Sequence, residues 1–487
     1  MDIIVKNGKS SPNYWCTWAT QNAIAEQVRI CTQVTEQSLA FLGDQGAGEA
    51  RHMLNEEILF GERFALAYQF SEIRHELYLV LDDGWDVPYG IHPDKSKCRF
   101  GSLVLDAERF PSYTGTPAER LKKLNKTVKQ AGWRGLGLWI AAQRAGADYL
   151  TPFEEDTTIE DYFRERILWS READIAYWKV DWGTHCNSVA FRKMLTDLAC
   201  ELYPTLIIEH AACMYPLNGS LGGKETRFFE DRGTAARARD IARISEVFRS
   251  YDYLGPLAVA TTLDRLAFLL REERCGIVNC EDMEYIGAVM GCALGLMKAE
   301  RFTDRRSETI AAIRWLSMAP AFSGGDICAS EAVKEDRYFF AEGSTWLSRI
   351  IGKEAVQGAP LAMSRNMPLP VIESEDPPYV CACKNPNGAY ALGAFKSTSD
   401  RHERAPRITL STPCAEYVGI FGDFEQVTLC TERTAKRVYL QSLIRGEAIE
   451  IDEAACGDRV VLSRNRLMSV YPSIDRSENA VVVKIEY

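Results

Sequence analysis

The chain has 487 residues, 46% of them apolar and 10% aromatic, enough to bury a large core and to form more than one domain. Its formal net charge of −11 argues against nucleic acid as a partner, and no uninterrupted apolar run of about 18 residues argues for a membrane span. The 15 cysteines are scattered, with no Cys-x-x-Cys, and the start lacks a basic segment followed by an apolar one; the expectation is reduced thiols in a cytoplasmic protein rather than disulfides or a zinc site.

From Pro12 to Asp326 short apolar runs alternate with longer amphipathic stretches, the texture of an α/β fold with parallel strands. Strands are predicted at Tyr14–Thr17, Leu77–Leu81, Gly135–Ile140, Tyr177–Val180, Leu206–Ile208, Phe248–Tyr251, Gly276–Asn279 and Met318–Phe322. Helices are predicted between them at Ala118–Ala131, Asp161–Glu172, Ala190–Leu202, Ala235–Arg249 and Leu263–Arg271. Eight strands is the count of a (β/α)8 barrel, here assigned to residues 1–350. Past Ala355 prolines punctuate the chain and helical periodicity fades. Strand-like runs follow at Tyr379–Cys383, Tyr390–Phe395, Arg407–Leu410, Glu416–Phe421, Arg437–Leu440, Ala448–Ile451, Arg459–Leu462 and Ala480–Ile485, an antiparallel β-sandwich over residues 351–487.

The most informative stretch is Tyr177-Trp178-Lys179-Val180-Asp181-Trp182-Gly183. Strand residues alternate faces, so Lys179 and Asp181 point the same way, and a charged pair ending an apolar strand has to look into a cleft. In a (β/α)8 barrel that cleft is the active site, at the C-terminal ends of the strands. The strand Leu77–Leu81 ends likewise in Asp82-Asp83-Gly84-Trp85. Two strands ending in carboxylates suggest acid–base or nucleophilic chemistry on a polar, neutral substrate, with Asp82 and Asp83 suited to gripping adjacent hydroxyls. Trp15 and Trp18, Trp139, Glu209-His210, Arg249 followed by Asp252, Asn279 to Met283, and Ser323 to Asp326 complete the polar and aromatic groups at probable strand ends. The plainer reading of each is a core aromatic, an acidic turn or a structural ion pair. A metal reading would gather His185, His210, Asp82 and Asp181, but no HxH or HExxH pair nucleates it.

In this order the motifs resemble the α-galactosidase clan, most like glycoside hydrolase family 27, with family 36 as a neighbour. Trp15 to Trp18 match the family's Trp-x-x-Trp strand, Asp82 to Trp85 its Asp-Asp-Cys/Gly-Trp, Leu138-Trp139 its Gly-Leu-Trp/Tyr strand, Lys179 and Asp181 its Lys-x-Asp, and Asn279 to Met283 its Asn-x-x-Asp-Met. Glu209 is similar to its fifth strand end, and Pro320 to Asp326 to a later Pro-to-Asp segment. The resemblance implies a barrel followed by a β-sandwich, and retaining hydrolysis of terminal α-D-galactosides without metal or organic cofactor. It implies Asp181 as nucleophile and Asp252 as acid/base. Asp82 and Asp83 would bind O4 and O6, Lys179 O3 and O4, Arg249 and Glu209 the O2 side; Trp18 and Trp139 would line the pocket, and Asp282 would support it. The substrate would be a small oligosaccharide or glycoside, and the family's dimers and larger assemblies leave a homo-oligomer open.

Three departures stand out. Asp252 lies three residues after Arg249, where the family places its acid four residues after the arginine; Glu246 and Asp231 are the alternatives. Trp182-Gly183 replace the cysteine that often follows the nucleophile. The stretch from Ala211 to Gly233, where the family senses the C2 substituent, has no clear match. An α-N-acetylgalactosaminidase, a β-L-arabinopyranosidase, an isomaltose-releasing enzyme, an inactive sugar-binding barrel and a metal-dependent hydrolase therefore stay open.

Overall fold

The computed structural model describes residues 1–32, 47–88, 100–146, 157–212, 226–227, 232–250, 263, 266–267, 270, 275–323, 337–338, 362–396, 403–414, 416–451, 455–470 and 479–487. Eight parallel strands close into a barrel in chain order: β1 (Tyr14–Cys16), β2 (Tyr78–Leu81), β3 (Gly135–Ile140), β4 (Tyr177–Val180), β5 (Ile207–Ala212), β6 (Val247–Ser250), β7 (Ile277–Glu281) and β8 (Ala293–Leu296). Three of the helices between them start where a side chain satisfies one of the first orphan N–H groups. Thr116 and Glu119 form a reciprocal capping box ahead of Pro117–Gln130, Thr158 accepts from the Asp161 N–H ahead of Ile159–Glu172, and Ser188 accepts from the Phe191 N–H ahead of Val189–Leu202.

Period-2 alternation divides every strand between two environments. Trp15, Leu79, Leu136, Trp178, Ile208, Phe248, Val278 and Leu294 join the large core shared with the helices. The residues between them face the barrel axis, where Tyr14, Tyr78 and Tyr177 pack as one aromatic layer with ring centroids 5.4 and 5.6 Å apart.

The first seven strands lie within a few residues of their predicted positions, but the eighth does not. Met318–Phe322 is the end of the helix Arg306–Met318 and the segment beyond it, with only an isolated bridge from Ser323 to Ile277; the barrel is closed instead by β8. That strand, Ala-Leu-Gly-Leu, has no β-branched residue, so local propensity conceals it. Its glycine answers a tertiary demand: Gly295 pairs with Tyr14, and a Cβ there would lie 2.7 Å from the tyrosine ring. The predicted helix Ala235–Arg249 is shorter than expected, running Arg232–Ile244, because Val247–Ser250 is recruited into the barrel. Of Leu263–Arg271, the described residues Leu263, Leu266, Ala267 and Leu270 are helical.

The later part of the chain forms two sheets. One runs, edge to edge, Ala362–Arg365, Tyr379–Lys384, Tyr390–Phe395, Tyr417–Gly422, Ala480–Glu486, Arg437–Ser442 and Ile449–Glu450; the other Val371–Glu373, Arg407–Cys414, Gln426–Thr431, Arg459–Ser463 and Ala455–Cys456. Val380, Leu392, Ile420 and Val483 of the first meet Ile408, Leu429 and Val460 of the second in one core, the expected sandwich. Most pairs are antiparallel, but Ala362–Arg365 with Tyr379–Lys384, Tyr390–Phe395 with Tyr417–Gly422, and Arg407–Cys414 with Gln426–Thr431 are parallel, so each sheet is mixed. The outer face of the first sheet covers the barrel: Phe421 packs edge-on against Tyr285 (5.2 Å) and Trp315 (6.0 Å).

Barrel closure through Gly295 is open to test. Gly295→Val should lower stability by about 2 kcal/mol through overpacking against Tyr14, read as a shifted midpoint in chemical denaturation; an unchanged midpoint would show that the β1–β8 contact is loose.

Candidate active site

Above the tyrosine layer, the inward positions at the C-terminal ends of the strands are charged. Arg249 on β6 reaches three carboxylates from three other strands: its Nε donates to Glu209 Oε1 (2.9 Å), Nη1 to Glu281 Oε2 (3.2 Å) and Nη2 to Asp181 Oδ2 (3.2 Å). Lys179 on β4 donates to Asp82 Oδ2 (3.1 Å) and contacts Glu281 Oε1 at the same distance. Tyr14 donates to Glu281 Oε1 (2.9 Å), Tyr177 to Glu209 Oε2 (2.7 Å), and the Cys16 thiol to Asp82 Oδ2 (2.8 Å).

Asp181 receives a second donor, the Trp139 indole N–H at 3.2 Å, so its negative charge is held by one cation and one neutral dipole. The turn that follows is tight. Gly183 has φ +140° and a Cβ there would lie 2.8 Å from the Ala142 backbone, so this backbone takes only glycine without strain. Beside Asp181, Trp139, Trp182 and Phe100 form an aromatic cluster with centroids 5.0 to 5.8 Å apart.

Burial alone would discharge the two cations, but the carboxylates outweigh it. Lys179 is held well above the usual lysine range by Asp82 and Glu281, and Arg249 well above its own by Glu281, Asp181 and Glu209. Burial likewise pushes Glu281 up, yet Arg249 and Lys179 bring it below the ordinary glutamate value. Glu209 goes the other way, raised by burial against the pull of Arg249; Tyr14 and Tyr177 are raised well above the phenol range by burial and Glu209. The floor is therefore a fixed array of charges with phenols as neutral donors.

The structure brings Asp82, Trp139, Lys179, Asp181, Glu209 and Arg249 together. Trp18 is partly buried at the start of the helix Trp18–Thr32 and packs against the inner barrel cluster. Asp83 points elsewhere: both oxygens are gripped by Arg51 (3.0 and 2.9 Å), whose guanidinium lies 4.7 Å above the Phe100 ring. Asp83 thus bears on the aromatic cluster through Arg51. Asp282 accepts the Met297 N–H (2.9 Å) and stands outside the charged array. Asp252 and Asp231 lie outside the described residues. Glu246 precedes β6, at the opposite end of the barrel from Asp181. His210 faces outward, toward Arg192 and Thr196, and His185 stacks on Phe191, so neither joins Asp82 and Asp181. Among the described residues no group of three or more His, Cys, Asp or Glu could hold a metal ion.

Glu281 was named only within Asn279 to Met283, as a polar group at a probable strand end without a role, and Cys16 was missed. The signal for Glu281 was available: Asn279 and Glu281 share a strand face, the rule that picked out Lys179 and Asp181, while the resemblance drew attention to Asp282. Cys16 read only as a strand residue between tryptophans. A cleft of about 710 Å3 on the sandwich is lined by charged side chains including Glu416, Glu432, Arg433 and Lys484 and lies away from this array. There Lys484 pairs with Glu416 and Glu486.

No family model matches the chain, and no curated protein matches it. Among solved structures, it is similar to a family 27 β-L-arabinopyranosidase from Geobacillus stearothermophilus (10% identity, 99% of this chain and 98% of that one, TM-score 0.41) and to α-galactosidase I from Mortierella vinacea (11% identity, 99% and 98%, TM-score 0.38). It is also similar to the carboxyl transferase domain of pyruvate carboxylase from Rhizobium etli (13% identity, 64% and 52%, TM-score 0.29). Similarity at this level does not assign an activity to the chain.

Asp282 and Glu284 form a neighbouring acidic pair. Burial pushes both up to about 7, with Glu284 adding to the rise of Asp282 and Glu308 to that of Glu284. Unfolded carboxyls ionise near pH 4. Between about pH 4 and 7 the folded state keeps a proton that the unfolded state releases, so this pair makes stability fall as pH rises through that window. Glu284→Gln should flatten the fall in unfolding free energy measured by denaturant titration from pH 4.5 to 7.5; the same slope in both proteins would remove the pair as its source.

Proposed function

We propose that the chain is a retaining exo-α-glycosidase of the α-galactosidase clan, a cytoplasmic enzyme that hydrolyses terminal α-D-galactosides by double displacement. The observation that carries this reading is the Asp181 carboxylate at the end of β4, held by Arg249 and Trp139 and flanked by Lys179 and Asp82. A nucleophile for an anomeric carbon has to be ionised, fixed and open to the mouth of the barrel. Two donors on a single oxygen, Oδ2, stabilise the charge and fix the carboxylate plane.

Asp181 attacks the anomeric carbon while Asp252, two residues beyond the described end of β6, protonates the leaving oxygen. The bond to the aglycone breaks as the bond to Asp181 forms. Asp252, now a carboxylate, takes a proton from water, which displaces Asp181 with a second inversion. Asp82 accepts and Lys179 donates hydrogen bonds to sugar hydroxyls, Arg249 and Glu209 serve the O2 side, and Trp139 and Trp18 cover apolar faces of the ring. Asp83 acts through Arg51 on the aromatic cluster. The negative floor also favours the positive charge that develops at the oxocarbenium-like transition state. The residues 1–350 and 351–487 serve as catalytic barrel and sandwich.

Asp181→Asn should reduce turnover by at least about 10⁴-fold, the scale of losing a catalytic group that acts in covalent chemistry, with the circular dichroism spectrum unchanged. Activity within tenfold of wild type would remove Asp181 as nucleophile. Wild-type enzyme offered p-nitrophenyl α-galactoside, α-N-acetylgalactosaminide, β-L-arabinopyranoside and α-glucoside should release nitrophenol fastest from the first, and equally with EDTA. Proton NMR should show the α-anomer first; the β-anomer would sink retention.

A further inference from the structure

Lys179 and Arg249 meet at the floor of the site with side chains only 3% and 2% exposed. A lysine and an arginine at the bottom of a cleft would, by themselves, form a receptor for an anion, since both make charge-assisted hydrogen bonds to carboxylate or sulfate. Glu281 fills that role from within the chain. Its Oε1 lies 3.1 Å from Lys179 Nζ and accepts the Tyr14 hydroxyl, and its Oε2 accepts from Arg249. At 20% exposure its side chain is more open than those of Asp82 (5%), Asp181 (9%) and Glu209 (0%).

We propose that Glu281 is a specificity-determining residue: an internal counter-anion that makes the site take neutral sugars and reject sugars bearing a carboxylate or sulfate. This rests on the glycosidase reading and names the substrate class within it. A neutral sugar donates a hydroxyl proton to Glu281. A uronic acid brings a second carboxylate toward the one already seated between the cations, and like charges in a poorly solvated cleft repel. Around the two cations, Asp82 from β2, Asp181 from β4 and Glu209 from β5 act in the same direction, while Cys16 and Tyr14 from β1 stay neutral donors. Glu281 is the most exposed of these carboxylates, so it sets the charge that an incoming sugar meets first.

Calorimetric binding of D-galactose and D-galacturonate to wild type, Glu281→Gln and Glu281→Ala tests this without turnover. Wild type should prefer galactose by about 100-fold, and both variants, which remove the counter-anion from between the cations, should cut that ratio at least about tenfold. Glu281→Asp, which keeps the charge, should restore the preference. Equal binding of the two sugars by wild type overturns the proposal, as does a ratio unmoved in whichever charge-removing variant folds. Wild type that binds neither sugar and is silent on every glycoside overturns the glycosidase reading with it. Wild type that hydrolyses galactoside but shows an unmoved ratio in the variants overturns the role of Glu281 alone.

Discussion

The Arg249 guanidinium is the fixed point of the barrel mouth. Its three nitrogens meet carboxylates on β5, β7 and the end of β4, so one side chain sets the spacing of strands that are far apart in the chain. Buried charges of this kind are costly unless every partner is present, because removing one leaves another unpaired in a medium that solvates it poorly. The arrangement is thereby self-enforcing: the barrel has to close to bring the partners together, and once closed it cannot shift one strand end without exposing an unpaired charge.

Around that point the molecule is layered. Three tyrosines below supply neutral hydroxyls, two of which donate to Glu209 and Glu281 from underneath, so each of these carboxylates has a neutral donor besides Arg249. On one side Phe100, Trp139 and Trp182 give an apolar wall, stiffened by Arg51 and Asp83. A wall of π faces beside a floor of carboxylates matches the amphipathic character of a pyranose ring, apolar on its C–H faces and polar at its rim.

The sandwich contributes from behind. Glu281 ends β7, and the helix that follows, Glu284–Val289, presents Tyr285 to Phe421 of the seven-stranded sheet. Arg365 in that sheet donates to the Met290 carbonyl at the end of the same helix, and to the Ser323 carbonyl at 2.9 Å. The last barrel strands and the segment between them are thus held from outside by the sheet, whose Phe421 joins the barrel's own core, which keeps Glu281 registered against Lys179 and Arg249. The unsatisfied amide of Asn279, buried one inward position below Glu281, marks the one place in this column where packing is tight and polar pairing is incomplete among the described residues.

Read from the amino acids alone, the alternation of strands with helices, the period-2 faces of β3 and β4, and the polar ends of β2 and β4 were legible, because each is a local pattern over four to eight residues. That was enough to place Asp82, Lys179 and Asp181 in one cleft. The tertiary structure decided the rest. The eighth strand is Ala293–Leu296 because Tyr14 needs a glycine opposite it, a requirement carried by a residue on the far side of the closure and invisible in a run of Ala, Leu and Gly. Asp83 turns to Arg51, which lies 32 positions earlier, and Glu281 receives Tyr14 across 267 positions. Which face of a strand a residue occupies follows from its neighbours in sequence; which partner waits there follows only from closing the barrel, and no local period encodes it.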